Sequence, residues 1–163
     1  MKPVKIQLRE LPSDTEHPDR KMAAHWWDNL GEEERYRLMG TTLIFSAAFQ
    51  DLKAHTKLLA PGQYGWTAYD EEADLVGYII GVVKEGVPKE MGFDYQVDPS
   101  RQGIGIGPAI LREMLRDSQF AQFETFCCTV FPWNAKSVRV MEKVGFVRQE
   151  GSDRYYTYTR QPS

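Results

Sequence analysis

The stretch that decides the fold is Tyr95-Gln96-Val97-Asp98-Pro99-Ser100-Arg101-Gln102-Gly103-Ile104-Gly105-Ile106-Gly107-Pro108. Its sequence predicts a strand that runs into a glycine-rich loop, and the loop in turn opens a helix. Glycines at alternate positions lack the Cβ atoms that would keep a ligand away from the backbone. The free N–H groups of the new helix supply hydrogen-bond donors at the positive end of its dipole. The stretch therefore predicts a binding site for a phosphorylated ligand.

The composition indicates one soluble globular domain spanning residues 1–163, with 42% hydrophobic and 26% charged residues. The formal net charge of -3 argues against a nucleic-acid partner, because a protein that neutralises phosphates presents a basic face. The N-terminal sequence lacks the apolar run of a signal peptide, and no segment approaches the roughly 18 to 20 apolar residues of a membrane span. We therefore expect a cytoplasmic protein without a membrane partner.

The cysteines and histidines do not predict a metal site. Cys127 and Cys128 are adjacent, so a disulfide between them would be strained and a zinc site would lack ligands. His25 and His55 show no spacing typical of a metal centre or a nucleophile triad. We expect free thiols and no bound metal.

Hydrophobic periodicity predicts a mixed α/β architecture in which helices flank a central sheet. The predicted strands cover residues 5–9, 64–70, 75–83, 90–97, 125–131, 146–147 and 155–159. The predicted helices cover residues 18–59, in two or three pieces, 105–117 and 134–145. We expect the strand at 90–97 to be buried on both faces, and Ile104 to share the buried stripe of the following helix.

The glycine spacing excludes two common phosphate ligands. A dinucleotide fingerprint counted from Gly103 would place its last glycine at Pro108, and the strand ending at Phe131 provides no acid for a ribose. A nucleoside-triphosphate loop would need Gly-Lys-Ser/Thr, which does not occur here.

The pattern Gln102-x-x-Gly105-x-Gly107 resembles the signature of the GNAT superfamily, the acyl-coenzyme A dependent N-acetyltransferases. A second block, residues 134–146, is similar to the last helix of that family, with its leading Asn134 and its closing Gly-Phe pair. The resemblance implies a GNAT-type fold, with a mixed sheet of six or seven strands that splays apart at the cofactor site. The Asn-x-x-Ser form of the second block is most similar to the branch that acetylates the N-termini of ribosomal proteins.

The resemblance also implies the substrates, which are acetyl-coenzyme A and a primary amine of a small molecule or a protein N-terminus. The glycine loop would hold the pyrophosphate, and the backbone of the splayed strand would hold the pantetheine arm and the thioester oxygen. The implied cofactor residues are Tyr95, Gln96, Val97, Arg101, Gln102, Gly103, Ile104, Gly105, Ile106, Gly107, Pro108 and Asn134. The oligomeric state is open, with a homodimer as one possibility.

The resemblance identifies the catalytic side chains less completely. Met91 occupies the position of the catalytic acid found in the histone-acetylating branch, which leaves Asp94 and Glu90 as candidate bases. Met141 occupies the usual position of the tyrosine that protonates the thiolate, which leaves Ser137 as a candidate donor.

Three alternatives remain open at this level. Asn134 either orients the pantetheine or only caps its helix. Aromatic residues such as Trp26, in the helices that wall the acceptor pocket of the family, either line that pocket or belong to the core. The two methionines favour, as an alternative function, a non-catalytic module that binds or senses acyl-coenzyme A.

Overall fold

The computed structural model describes residues 3–12, 14, 16–28, 33, 63–83, 86, 87, 89–150 and 155–162. Its strands are β1 (Gln7–Glu10), β2 (Gln63–Tyr69), β3 (Leu75–Val82), β4 (Glu90–Val97), β5 (Thr125–Val130), β6 (Val147–Gln149) and β7 (Tyr156–Arg160). Its helices are α1 (Pro18–Asp28), α2 (Ile106–Arg116) and α3 (Ala135–Val144), with short 3-10 turns at Pro99–Arg101 and Ser118–Phe120.

The described strands form one sheet in the order β1-β2-β3-β4-β5-β7-β6. Every neighbouring pair is antiparallel except β4 and β5, which are parallel. A parallel pair needs a crossover connection, and α2 lies in the chain between these two strands. The predicted mixed α/β sheet is confirmed, with seven strands.

The sheet separates two helical layers. A Cβ atom added to Gly77 of β3 would lie 2.7 Å from Cδ1 of Ile110, so α2 packs closely on that face. The neighbouring Tyr78 points to the other face, where its ring stacks on Trp26 of α1 with centroids 6.4 Å apart. β4 therefore has α2 on one side and α1 on the other.

Two details differ from expectation. Met91 and Phe93 are buried against the α2 side, but Glu90 and Asp94 on the opposite face of β4 are exposed, so the prediction of burial on both faces is wrong. Ile104 is 55% exposed and precedes α2, because the helix begins only at Ile106.

The structure describes only part of the N-terminal half of the chain. The helix predicted at Pro18 is confirmed as α1, whereas the predictions between it and β2 fall almost entirely outside the described residues, including His55. None of the described helices is long and apolar enough to cross a membrane.

Candidate active site

β4 and β5 separate along their length. Their parallel ladder pairs residues 90–92 with residues 125–127 and includes no later pair among the described residues, although β4 continues to Val97 and β5 to Val130. On its other edge β4 stays paired with β3 as far as Val97. One edge of residues 93–97 therefore faces a wedge between the two strands. This wedge is the splay that the family resemblance predicts.

The glycine loop lies just after the splayed end of β4. Asp98 begins the turn that follows the strand, because its Oδ1 accepts hydrogen bonds from the backbone N and the Oγ of Ser100 at 2.9 and 2.8 Å. Gly103 and Gly105 have φ angles of +83° and +90°, which other residues rarely adopt. A Cβ atom at Gly103 would meet nothing within 4 Å, so the loop leaves open space beside its backbone.

The first turn of α2 begins without a side-chain cap. Gly105 is the N-cap residue and makes no side-chain hydrogen bond to the helix. The first N–H groups of a helix need an outside partner, and an anion is favoured there by the helix dipole. The loop and the helix start therefore fit a pyrophosphate group.

Gly107 differs from the other two glycines. Its φ angle is not positive, and a Cβ atom there would lie 3.6 Å from both Tyr95 Cε2 and Val97 Cγ2, an ordinary contact distance. The backbone therefore requires glycine at Gly103 and Gly105 but not at Gly107.

Two hydroxyl groups meet on the α2 and α3 side of the wedge. The Oη of Tyr95 lies 3.1 Å from the Oγ of Ser137 in the first turn of α3. Burial raises the pKa of Tyr95, although the hydrogen bond with Ser137 acts in the opposite direction. Tyr95 therefore stays protonated at neutral pH and can donate a hydrogen bond.

Asn134 fixes the start of α3 beside this pair. Its side chain is only 5% exposed, and its Oδ1 accepts a hydrogen bond from the backbone N of Ser137 at 3.4 Å. The predicted capping role is confirmed, and it also holds Ser137 in place.

The opposite face of β4 has a different set of side chains. Gln96 lies across from Tyr78 in the ladder with β3, and its Oε1 accepts a hydrogen bond from the Tyr78 hydroxyl. Asp94 lies across from Ile80, which makes it a diagonal neighbour of Tyr78 on the same face. Trp26 is buried and stacks on Tyr78, so it belongs to the core.

Asp94 has a raised pKa. The residue has an exposed surface, but the protein packed around its carboxylate removes part of the hydration of the charged form and raises its pKa to about 6. Glu90 lies four residues away, roughly 13 Å along the strand, in the segment where β4 and β5 are still paired. The structure does not bring the two candidates together, and only Asp94 lies in the splayed segment.

The two methionines at the positions of the missing acid and base belong to the core. Met91 and Met141 are both fully buried, and Met91 fills the space that a Cβ atom on Gly81 would need. Neither cysteine forms a disulfide, and burial raises the pKa of Cys128 well above its usual value. A buried neutral thiol is a poor nucleophile, which argues against Cys128 as an acyl relay.

The guanidinium of Arg101 points toward carboxylates. It contacts Asp70 and Asp74 in the turn between β2 and β3, and Asp98 at the end of β4. The adjacent Gln102 contacts α3 instead, because Lys136 Nζ donates a hydrogen bond to its Oε1 at 3.4 Å. Sequence reasoning missed both contacts, since each joins segments that are far apart in the chain.

The acetyltransferase (GNAT) domain family matches residues 8–147. The match covers most of the chain, which therefore belongs to the GNAT acetyltransferase family.

Solved structures with the same fold include the acetyltransferase AAC(6')-Ib in complex with paromomycin and acetyl-coenzyme A (TM-score 0.71, 18% identity, 96% of this chain and 93% of that one covered). The spermidine N-acetyltransferase of Vibrio cholerae in complex with coenzyme A and spermine is also similar (TM-score 0.68, 14% identity, 97% and 96% covered). A third is the GNAT domain of S. lividans PAT (TM-score 0.68, 14% identity, 96% and 90% covered). No curated protein sequence matches the chain significantly.

Proposed function

We propose that this protein transfers an acetyl group from acetyl-coenzyme A directly to a primary amine in a ternary complex. The observation that supports this most strongly is the wedge between β4 and β5, which opens beside a glycine loop and an uncapped helix start. The loop of residues 102–108 would hold the pyrophosphate, and the backbone edge of residues 95–97 on the wedge side would hold the pantetheine arm. When bound, acetyl-coenzyme A supplies a thioester as the acyl donor.

Asp94 is the base in this proposal. Transfer forms a bond from the amine nitrogen to the acetyl carbon, breaks the carbon–sulfur bond, and releases one proton from the nitrogen. A carboxylate with a pKa of about 6 is ionised at neutral pH and is basic enough to accept a proton there. Glu90 is the second candidate, but its position in the paired segment supports it less.

Tyr95 and Ser137 are the donors to the departing sulfur. Because burial raises the pKa of Tyr95, its hydroxyl is a weak acid that stabilises a thiolate through a hydrogen bond. The proton that finally reaches the sulfur then comes from water. This pair would replace the tyrosine whose position is filled by Met141.

The acceptor class is the least defined part of the proposal. The Asn-x-x-Ser block supports the branch that acetylates the N-termini of ribosomal proteins. The solved structures with a similar fold include a spermidine N-acetyltransferase, which supports a small amine instead. A panel of aminoglycosides, polyamines and N-terminal peptides, each assayed for release of coenzyme A thiol, distinguishes these classes.

Calorimetric titration with acetyl-coenzyme A and coenzyme A tests the cofactor half of the proposal separately. We expect saturable binding of both, and the absence of any binding at millimolar concentration would refute the assignment.

The burial of Met91 and Met141 favours one alternative, a module that binds acyl-coenzyme A without catalysis. Binding without turnover of any amine in the panel would support this alternative over the enzyme.

A further inference from the structure

We propose that Arg101 is a positioning residue, which anchors the start of the glycine loop and neutralises the carboxylates beside it, and does not itself bind the phosphates. This inference rests on the proposed function, because it concerns how the loop is prepared for coenzyme A. It also reassigns a residue that the family resemblance predicts as a direct cofactor ligand.

Each of the three guanidinium nitrogens lies near a carboxylate. Nη1 lies 3.0 Å from Asp70 Oδ2, Nη2 lies 3.3 Å from Asp74 Oδ2, and Nε lies 3.4 Å from Asp98 Oδ2. The side chain is one-third exposed, so the contacts are not screened as fully as those of a free surface pair. These contacts direct the guanidinium toward three carboxylates, so a phosphate would have to compete with them for Arg101.

Two of the three carboxylates, those of Asp70 and Asp98, are themselves held in place by hydrogen bonds. Asp70 Oδ1 accepts from the N–H groups of Glu72 and Asp74 at 2.9 and 3.0 Å, which leaves Oδ2 for Arg101. Asp98 divides its oxygens in the same way, because Oδ1 accepts from Ser100 and Oδ2 contacts Arg101. The arginine therefore meets acceptors that are already oriented.

These contacts join the loop to the neighbouring hairpin. The backbone N of Arg101 donates to Asp98 O at 2.9 Å, and the N of Asp98 donates to Val76 O of β3 at 2.8 Å. Gln102 and Gly103 follow directly, so the guanidinium fixes the point from which the glycine loop departs. A loop that is ordered before binding loses less conformational entropy when the ligand arrives.

The charge argument points the same way. Without Arg101, the carboxylates of Asp70, Asp74 and Asp98 would stand uncompensated at the entry of a loop proposed to receive a pyrophosphate. These carboxylates would repel the phosphates, and salt screens that repulsion over about 8 to 10 Å at moderate ionic strength. The hydrogen bond with Asp74 and the surrounding carboxylates raise the pKa of Arg101, so its positive charge is permanent.

The test measures the Kd of coenzyme A by calorimetry for Arg101→Ala, for Asp70→Asn with Asp74→Asn, and for the three changes combined. We expect Arg101→Ala to weaken binding about five- to tenfold at low salt, a loss that shrinks at high salt. Adding the two asparagines to Arg101→Ala should recover most of the affinity, because the uncompensated charges are gone. Arg101→Lys, which keeps the charge but not the fork, should fall between the two.

The outcomes separate the possible errors. If the combined variant binds no better than Arg101→Ala, Arg101 contacts the phosphates directly and the inference is wrong. Unchanged affinity in Arg101→Ala would also overturn it. A wild-type protein that does not bind coenzyme A refutes the proposed function as well, and the same titration series shows which case applies. With an accepted amine, Arg101→Ala should raise the KM for acetyl-coenzyme A by a larger factor than it lowers kcat, because Arg101 acts on cofactor binding.

Discussion

The two faces of β4 differ in the kind of polar group that they place at the wedge. Toward α2 and α3, Tyr95 presents a hydroxyl that pairs with Ser137 and stays protonated. Toward α1, its neighbour Asp94 presents a carboxylate whose pKa of about 6 allows it to gain and lose a proton near neutrality. One strand thus separates a permanent hydrogen-bond donor from a titrating group, which is the division that acyl transfer from sulfur to nitrogen requires.

Asp94→Asn has the largest expected effect on activity, and it changes only the face of β4 toward α1. Removing the base should lower kcat about 100-fold while the Kd of coenzyme A stays unchanged. In the wild type, kcat/KM should rise as the pH increases through about 6, because the carboxylate must lose its proton to act. This rise, the acidic limb of the pH profile, should disappear in Asp94→Asn.

Glu90→Gln is the matched control, since it removes a carboxylate from the same face of the same strand outside the wedge. If Glu90→Gln instead loses the activity and the pH dependence near 6, the base is Glu90, which lies on the same face of β4 but outside the wedge.

Gly105→Asp perturbs the other side of the site through charge. With a φ angle of +90°, both aspartate and asparagine bear similar strain there, so Gly105→Asn serves as the control. We expect the aspartate variant to bind coenzyme A about tenfold more weakly than the asparagine variant, because the added charge opposes the phosphates. Equal affinities of the two variants in calorimetry would show that the phosphates of coenzyme A do not bind at the start of α2.

Tyr95→Phe and Ser137→Ala sharpen the role of the hydroxyl pair. Each loses one hydrogen bond to the departing sulfur, so kcat should fall about fivefold. The double variant should lose less than the product of the single losses, because the two groups contact each other. The pH limb near 6 should keep its position, and a displaced limb would mean that this pair takes part in the titration assigned to Asp94.

Gly107→Ala gives the smallest effect. The added methyl group would make only ordinary contacts with Tyr95, Val97 and Val140, so the Kd of coenzyme A should change less than twofold. Alanine also suits the first turn of a helix better than glycine, which predicts a Tm higher by about 1 to 3 °C. Loss of binding here would show that the ligand needs the bare backbone of all three glycines.

The sequence predicted the parts of the site that depend on local structure. The helix predicted from Gly105 begins one residue later, with Gly105 as its N-cap residue. Asn134 caps the next helix three residues before Ser137, and both features depend on about one turn of chain. The parts that it could not predict are contacts between segments that lie apart in the chain. Tyr78 and Gln96 meet across two strands, Tyr95 and Ser137 join a strand to a helix, and Arg101 joins the loop to the turn at Asp70. A carboxylate in a largely apolar strand is expected to have a raised pKa, and the structure gives this for Asp94, where desolvation raises the pKa to about 6.

The early end of the ladder between β4 and β5 also sets a solvation problem. From Phe93 onward no described strand pairs with the wedge side of β4, so the polar backbone groups that point there need a partner such as water or a bound ligand. A ligand that enters the wedge has to displace that water and offer hydrogen-bonding groups in its place. An amide-containing arm meets this requirement, whereas a hydrocarbon chain of equal length would leave the backbone groups unsatisfied. The missing hydrogen bonds of the sheet thus select ligands by polarity before any side chain does.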